Sequence, residues 1–319
     1  MNIFYYVLAL VAAFMISAMM LVQKQYQKNF GETLASGFRF NVGVGTVAML
    51  IFAVVCGFKI GFEPFSLIMA MTSSLAVMLY TVLGFKLMQS GQVAVYSIFL
   101  MSGGMTVPYI FGLIFLGEAK AFKPLSLVGL ILILIACVLS SGNAKTEKKY
   151  IPLCICVFFL NGITSIVSKV HQVAGKAENA DMSYLCAQLA DIETVSSESF
   201  VFWCGFSRVV IGLLALGAIA VFAKKGKDRA ESAAKNGITV KTAFLFMMLA
   251  VVASAIDGAS YFMQLVVAEN VPAKLQYPLI TGGSIIFTAL LAWAVLREKP
   301  SRKIVASLVL CLIGCCMFI

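Results

Sequence analysis

A single carboxylate, Asp257, lies in the middle of the apolar run LAVVASAIDGASYFMQLVV. A charged group at the centre of a lipid-spanning helix costs about 3 kcal/mol unless it faces protein or water. Two readings of it stand. In one, Asp257 binds a solute, or takes up and releases a proton as a solute moves. In the other it joins helices, through a hydrogen bond or a salt bridge to Lys86 or Arg208. Tyr261 and Gln264 follow at the helical spacing that stacks side chains on one face, so they share the face of Asp257. Tyr80, Tyr96 and Tyr277 bring apolar rings with polar tips, which suit a binding cavity and equally an interfacial belt. Asn161, in another apolar run, is expected to bind solute or to tie two helices together.

Three basic residues, Arg39, Arg208 and Lys169, fall near the ends of apolar runs. Long basic side chains there reach water while their stems stay in lipid. Anchoring is therefore the first expectation and binding of an anionic group the second. Glu118 and Glu298 close apolar runs beside basic residues and are expected to stabilise the following turn without reaching a substrate. Gly43, Gly45, Gly103, Gly104, Gly282 and Gly283 read as close approaches between helices. Pro108, Pro278, Gly282 and Gly283 are the candidate hinge or packing positions.

No catalytic set emerges. His171 is the only histidine, and neither a Ser/His/Asp grouping nor a Walker A phosphate loop is present. Most of the nine cysteines lie inside apolar segments, where they act as small hydrophobes, and no CxxC pair occurs. The expectation is a non-enzymatic protein with no metal and no cofactor, and coupling through an ion gradient, an exchanged solute or downhill flow.

The elements that position these residues follow from composition. Of 319 residues, 61% are hydrophobic and 12% charged, with a mean hydropathy of +0.98, against about 25% charged in soluble domains. The apolar residues form runs of roughly the length that crosses hydrocarbon, too long and too unalternating for barrel strands. Ten spans are predicted: Ile3 to Val22, Ser36 to Gly57, Ser66 to Phe85, Val93 to Leu116, Leu125 to Ser141, Ile151 to Val170, Val201 to Ala223, Ala243 to Val267, Leu275 to Leu296 and Ser301 to Ile319. The first run lacks a basic flank and a small-residue cleavage site, so it reads as a span and not a removable signal. The net charge of +10 resides mainly in the breaks between runs, which fits topology signals and not nucleic-acid binding.

The chain also repeats. A shift of 180 residues pairs Gly103 with Gly283, Leu116 with Leu296, Glu118 with Glu298 and Lys123 with Lys303. One residue of slip pairs Tyr80 with Tyr261 and Tyr96 with Tyr277, and other shifts pair Arg39 with Arg208 and Lys24 with Lys169. The halves are residues 1–143 and 144–319. Five spans per half force opposite orientations, so the expected fold is an all-α polytopic membrane protein of two inverted five-helix repeats. A symmetric scaffold that transports nothing would show the same pattern.

Only the second half carries an acidic insertion, about residues 171–200, with Glu178, Asp181, Asp191, Glu193 and Glu198. The spacing of Met182, Leu185, Leu189 and Ile192 fits a short amphipathic helix at the membrane surface, and an irregular loop is the other reading. Lys and Arg concentrate in the connections after spans one, three, five, seven and nine. By the positive-inside rule those connections are cytoplasmic and both termini outside.

The segment GLIFLGEAKAFKPLSLVGLILILIACVL and its later counterpart YPLITGGSIIFTALLAWAVLREKPSRKIVASLVLCLIGCCMF resemble the closing part of an EamA-type domain of the drug/metabolite transporter superfamily. With the arginine near the start of each second helix, the resemblance extends over the whole chain. It implies a ten-helix transporter in the cell membrane whose central cavity is lined by the first, third and fourth helices of each half. It also implies cytoplasmic termini, against the charge count, so orientation stays open. Pro108 lies nearer to Glu118, and Pro278 earlier, than the family pattern has them, and the insertion is atypical. The expected function is export or exchange of small organic metabolites such as amino acids, by alternating access at a midplane cavity, with a proton or counter-solute as partner. Multidrug efflux is the alternative, followed by a non-transporting receptor or scaffold; a lipid-modifying membrane enzyme is the weakest.

Overall fold

The structure is a computed structural model that describes residues 3–31, 33–90, 93–117, 123–141, 150–176, 181–223, 240–271 and 273–318. Its regular structure, among the described residues, is helical. The elements are α1 (Ile3–Phe30), α2 (Leu34–Val55), α3 (Pro64–Ser90), α4 (Val93–Phe115), α5 (Pro124–Ser141), α6 (Ile151–Val173), α7 (Tyr184–Leu189), α8 (Ser197–Ala223), α9 (Val240–Asn270), α10 (Ala273–Leu296) and α11 (Arg302–Cys316). Eight of them, all but α5, α7 and α11, are long and apolar enough to cross a membrane. Each of the ten predicted runs therefore coincides with a helix, but α5 and the 15-residue α11 are short for the hydrocarbon thickness.

Local chemistry sets the boundaries. Thr33, Ser183 and Ser301 cap α2, α7 and α11, each accepting a bond from a backbone N–H three residues on. Prolines open α3 and α5, where the missing N–H costs nothing. Gly117 ends the α4 segment at φ 69°, a conformation that other residues adopt only under strain. Several helices outrun their apolar cores. The first continues to Phe30 and α3 to Ser90, which takes Lys24, Lys28 and Lys86 into helices instead of connections.

The most extensive contacts run between α1–α5 and α6–α11. Helix α2 packs on α8, α5 on α11, α1 on α9 and α10, α6 on α3 and α4, α3 on α8, α2 on α9, and α4 on α10. Glycines permit two of these approaches. A Cβ added at Gly45 would stand 2.8 Å from the Gly205 carbonyl oxygen, and one at Gly103 would stand 1.9 Å from that of Phe158. The α2–α8 and α4–α6 backbones are thus as close as bare peptide allows. Large apolar side chains such as Val54, Ile114, Val138, Leu214 and Trp293 stay exposed on the perimeter, an apolar surface of the kind that lipid covers.

The bundle has two distinct ends. At one, the aromatic end, the last turns of α1 and α3 meet the first turns of α2, α4 and α9. Tyr26, Phe30, Phe40, Phe85 and Phe246 form a ring cluster there, with centroids 4.6–5.9 Å apart. Lys24 donates to the Met88 carbonyl, and Gln27 Nε2 to that of Phe85 at 2.7 Å. Glu298, just beyond α10, accepts the backbone N–H of Val93, the first residue of α4, at 3.1 Å. Its role therefore differs from the expected stabilisation of its own turn: it caps a distant helix, where the positive end of the dipole favours a carboxylate. Glu118 lies outside the described residues.

At the opposite end lies the described part of the insertion, 181–196. Its six-residue α7 buries Cys186 and Leu189, while Met182 and Tyr184 stay exposed. The helical reading is right in kind and shorter than the spacing suggested. Its buried side faces the bundle instead of a lipid surface. Ser183 Oγ donates to the Phe115 carbonyl at 2.7 Å, and Gly175 N donates to Leu189 O at 2.9 Å. Ser66 Oγ, in the first turn of α3, accepts Val195 N at 3.1 Å and lies 3.0 Å from His171 Nε2. The His171 ring stacks on Phe200 with centroids 4.0 Å apart. The insertion is therefore fastened to α3, α4, α6 and α8.

Candidate functional site

A cavity of about 220 Å³ lies inside the bundle, between the ring cluster and the insertion end. Its wall follows from the packing. Residues from α1 (Met20, Gln23), α3 (Ser73, Tyr80), α4 (Leu100, Gly104) and α6 (Asn161, Ser165, Ser168, Gln172) form one part. Residues from α9 (Asp257, Ser260, Tyr261, Gln264) and α10 (Gln276, Tyr277, Thr281) form another. Those six are the helices that the resemblance implies. The structure adds α8, which contributes Val201, Cys204, Gly205 and Arg208, and Ala48 of α2.

The charged centre of the wall is an ion pair. Arg208 Nη1 donates to Asp257 Oδ2 at 2.7 Å, with the two side chains 14% and 33% exposed. Among the described residues no other Asp, Glu, Lys, Arg or His lines the cavity, so one positive and one negative side chain face each other there. One guanidinium atom, Arg208 Nε, is buried with no hydrogen-bond partner. Of the two readings of Asp257, the salt bridge to Arg208 is realised, and it stands on the cavity wall instead of in a closed helix contact. Lys86 is not the partner.

Arg208 is the main correction to the sequence reading. Its apolar run starts at Val201 in the sequence, which placed it near an end, but α8 begins at Ser197 and carries Arg208 in its fourth turn. It points inward and does not snorkel. Arg39, its counterpart in the repeat, falls in the second turn of α2, is exposed, and does not line the cavity. Lys169 is 7% exposed in α6, too buried for a lipid anchor, and it too is absent from the cavity wall.

The uncharged candidates sort into lining and bracing groups. Tyr261 Oη lies 2.9 Å from Ser168 Oγ, a bond between α9 and α6 beside the ion pair. Tyr80 and Tyr277 also line the cavity. Tyr96 does not: it is 1% exposed and packs on Gly84, with its hydroxyl unpartnered. Gln264 Nε2 donates to Ser260 O at 3.2 Å, and Gln276 Nε2 to Gln264 O at 2.8 Å, a tie from α10 to α9. Asn161 lines the cavity and ties α6 to α4, its Nδ2 donating to Leu100 O at 2.6 Å. Gly104 leaves the space that Asn161 occupies, a Cβ there standing 2.5 Å from Nδ2. Pro108 and Pro278 both fall inside helices, α4 and α10. Gly283 approaches Ala13 of α1, while Gly282 has only ordinary contacts to α11.

Sequence reasoning missed Ser168, Gln172, Cys204, Gln276 and Thr281. Each is a lone small or neutral polar residue in an apolar stretch and carries no signal of its own. Position relative to Asp257 and its neighbours would have found Ser260 only.

Toward the insertion end a second space of about 370 Å³ adjoins the cavity, and Gln172 and Leu265 line both. Toward the aromatic end, Gln23 is the last lining residue of α1 before Tyr26 and the ring cluster close the bundle.

Residues 182–319 match the family model described as "EamA-like transporter family". Among solved structures the chain is similar to one titled only "Crystal structure of protein", at a TM-score of 0.58 and 13% identity, covering 99% of this chain and 96% of that one. That likeness speaks for the fold alone. The search of curated proteins finds no match.

Proposed function

We propose, from the premise that the chain is an EamA-like transporter of the drug/metabolite transporter superfamily, that it carries a small zwitterionic metabolite such as an amino acid across the cell membrane. The observation that carries this reading is the Arg208–Asp257 pair on the wall of an otherwise neutral, hydroxyl- and amide-rich cavity. An α-amino carboxylate offers the same two charges. Its carboxylate meets the guanidinium, and its ammonium meets Asp257. The pair then reforms when the solute leaves. Loaded or empty, the site keeps a net charge of zero, which removes the cost of moving a net charge through hydrocarbon. A proton at Asp257 or a counter-solute in the cavity would couple the movement to a gradient.

Size favours a metabolite over a drug. A cavity of about 220 Å³ lies below the roughly 300–1,000 Å³ typical for drug-sized ligands.

In this reading α5 and α11 complete ten spans, and the chain is two inverted five-helix halves, 1–143 and 144–319. The packing supports it. Exchanging α1 with α6, α2 with α8, α3 with α9, α4 with α10 and α5 with α11 carries the α1–α9 contact onto α3–α6, α1–α10 onto α4–α6, and α2–α9 onto α3–α8. The pairs α2–α8, α4–α10 and α5–α11 map onto themselves. Alternating access then closes the insertion end while the ring cluster at the aromatic end parts.

The test is counterflow in proteoliposomes loaded with amino acids and, separately, with monoamines, monocarboxylates and lipophilic cations. Accumulation of zwitterions alone is the expected result. Silence across the panel with folded protein would overturn the carrier and favour a receptor or scaffold, and selective movement of lipophilic cations would favour multidrug efflux.

A further inference from the structure

We infer that the second space, at the insertion end, is an entry site that holds the same class of solute before it reaches the central cavity. This rests on the carrier reading above and names a further binding site.

The space is built from three elements. The end of α6 supplies Gln172 and the turn after it Lys176, the insertion and the first turn of α8 supply Thr194, Ser196 and Glu198, and the last turns of α9 supply Phe262 and Leu265. Its volume of about 370 Å³ exceeds that of the cavity beneath it. The wall is held in place: Ser66 fixes the insertion through Val195 N and contacts His171 Nε2, while His171 stacks on Phe200. Gly175, at φ 74°, turns the chain from α6 into that wall, and its N–H binds Leu189 O.

Its chemistry repeats that of the cavity. One cation, Lys176, and one carboxylate, Glu198, line it besides the ring of His171, and neither has an ion-pair partner among the described residues. Charges at a water-exposed mouth attract a dipolar solute and orient it, carboxylate to Lys176 and ammonium to Glu198. Phe262 and Leu265 offer an apolar surface to its side chain. Gln172 and Leu265 belong to both spaces, so the entry site adjoins the central cavity. Nothing of this kind follows from the repeat, because only the second half has the insertion.

Equilibrium dialysis of purified full-length protein with tritiated L-serine, L-leucine and L-phenylalanine counts the sites. The wild type is expected to bind two molecules of the preferred probe. The variant with Arg208→Gln and Asp257→Asn is expected to keep one, and adding Lys176→Gln and Glu198→Gln should remove it. Lys176→Gln with Glu198→Gln alone should raise the concentration for half-maximal counterflow at least fivefold, with melting temperature unchanged because both residues are outside the core. A single site in the wild type, or none left after the Arg208 and Asp257 replacements, overturns the entry site and leaves the carrier reading intact if counterflow persists. Absence of both binding and counterflow overturns the two together.

Discussion

Arg208 Nη1 and Asp257 Oδ2 lie 2.7 Å apart on the wall of the cavity, and they belong to helices of the same half, α8 and α9. The repeat supplies no second copy, because Arg39 is exposed near the start of α2 and the acid has no counterpart in an early span. The charged part of the cavity wall is therefore asymmetric inside a helix-contact pattern that is symmetric.

Removing one partner isolates the other. Asp257→Asn is expected to lower counterflow at least about tenfold and to cost about 1–3 kcal/mol of stability. That is below the full cost of breaking a buried pair because Asp257 is a third exposed. Combining it with Arg208→Gln should restore much of the melting temperature and none of the transport. A double variant less stable than the single one would contradict the pair as described.

Two glycines should respond oppositely to alanine. At Gly103 the new Cβ meets the Phe158 carbonyl at 1.9 Å, so Gly103→Ala must push α4 off α6, at a cost of about 1–3 kcal/mol. At Gly282 the nearest atom stands 3.5 Å away, and Gly282→Ala is expected within about 0.5 kcal/mol of wild type. Thermal unfolding in detergent followed by tryptophan fluorescence compares them.

The Tyr261–Ser168 bond ties α9 to α6 at 2.9 Å. Tyr261→Phe and Ser168→Ala are each expected to cost about 1 kcal/mol. Because they remove one interaction, the double variant should cost about as much as either single. Full additivity in a double-mutant cycle would show that the two hydroxyls act separately.

Glu298 holds the first turn of α4 from across the bundle. Glu298→Ala is expected to cost about 1 kcal/mol, the usual worth of a helix cap, with Glu298→Gln keeping part of it. In the carrier reading the same loss loosens the aromatic end. In a background without native cysteines, Met88→Cys, at a position 0% exposed, should then react with maleimide faster when Glu298 is replaced. An unchanged labelling rate would mean that the cap stabilises without gating.

Which parts were legible follows from physics. Apolar runs long enough to cross hydrocarbon are hard to mistake, so every predicted span corresponds to a helix, and eight of those ten helices are long and apolar enough to cross a membrane. A lone carboxylate in such a run is expensive enough that Asp257 stood out, and helical spacing brought Tyr261 and Gln264 with it. Arg208 was misplaced because hydropathy marks where apolar sequence starts, whereas the helix starts where hydrogen bonding does, four residues earlier at Ser197. Tyr96 and Tyr80 look alike in sequence, yet Gly84 gives Tyr96 a buried slot away from the cavity. Lys169 and Lys24 were indistinguishable from interfacial lysines until packing showed both to be 7% exposed.

The interlocking of α1–α5 with α6–α11 bears on biosynthesis. In the carrier reading, α1–α5 enter the bilayer ahead of the rest with their principal partners still unmade, and the Gly45 and Gly103 contact surfaces face lipid until α8 and α6 arrive. Assembly must therefore await translation of the later segments. A product released near Ser141 would be left as a loose group of helices exposed to membrane proteases.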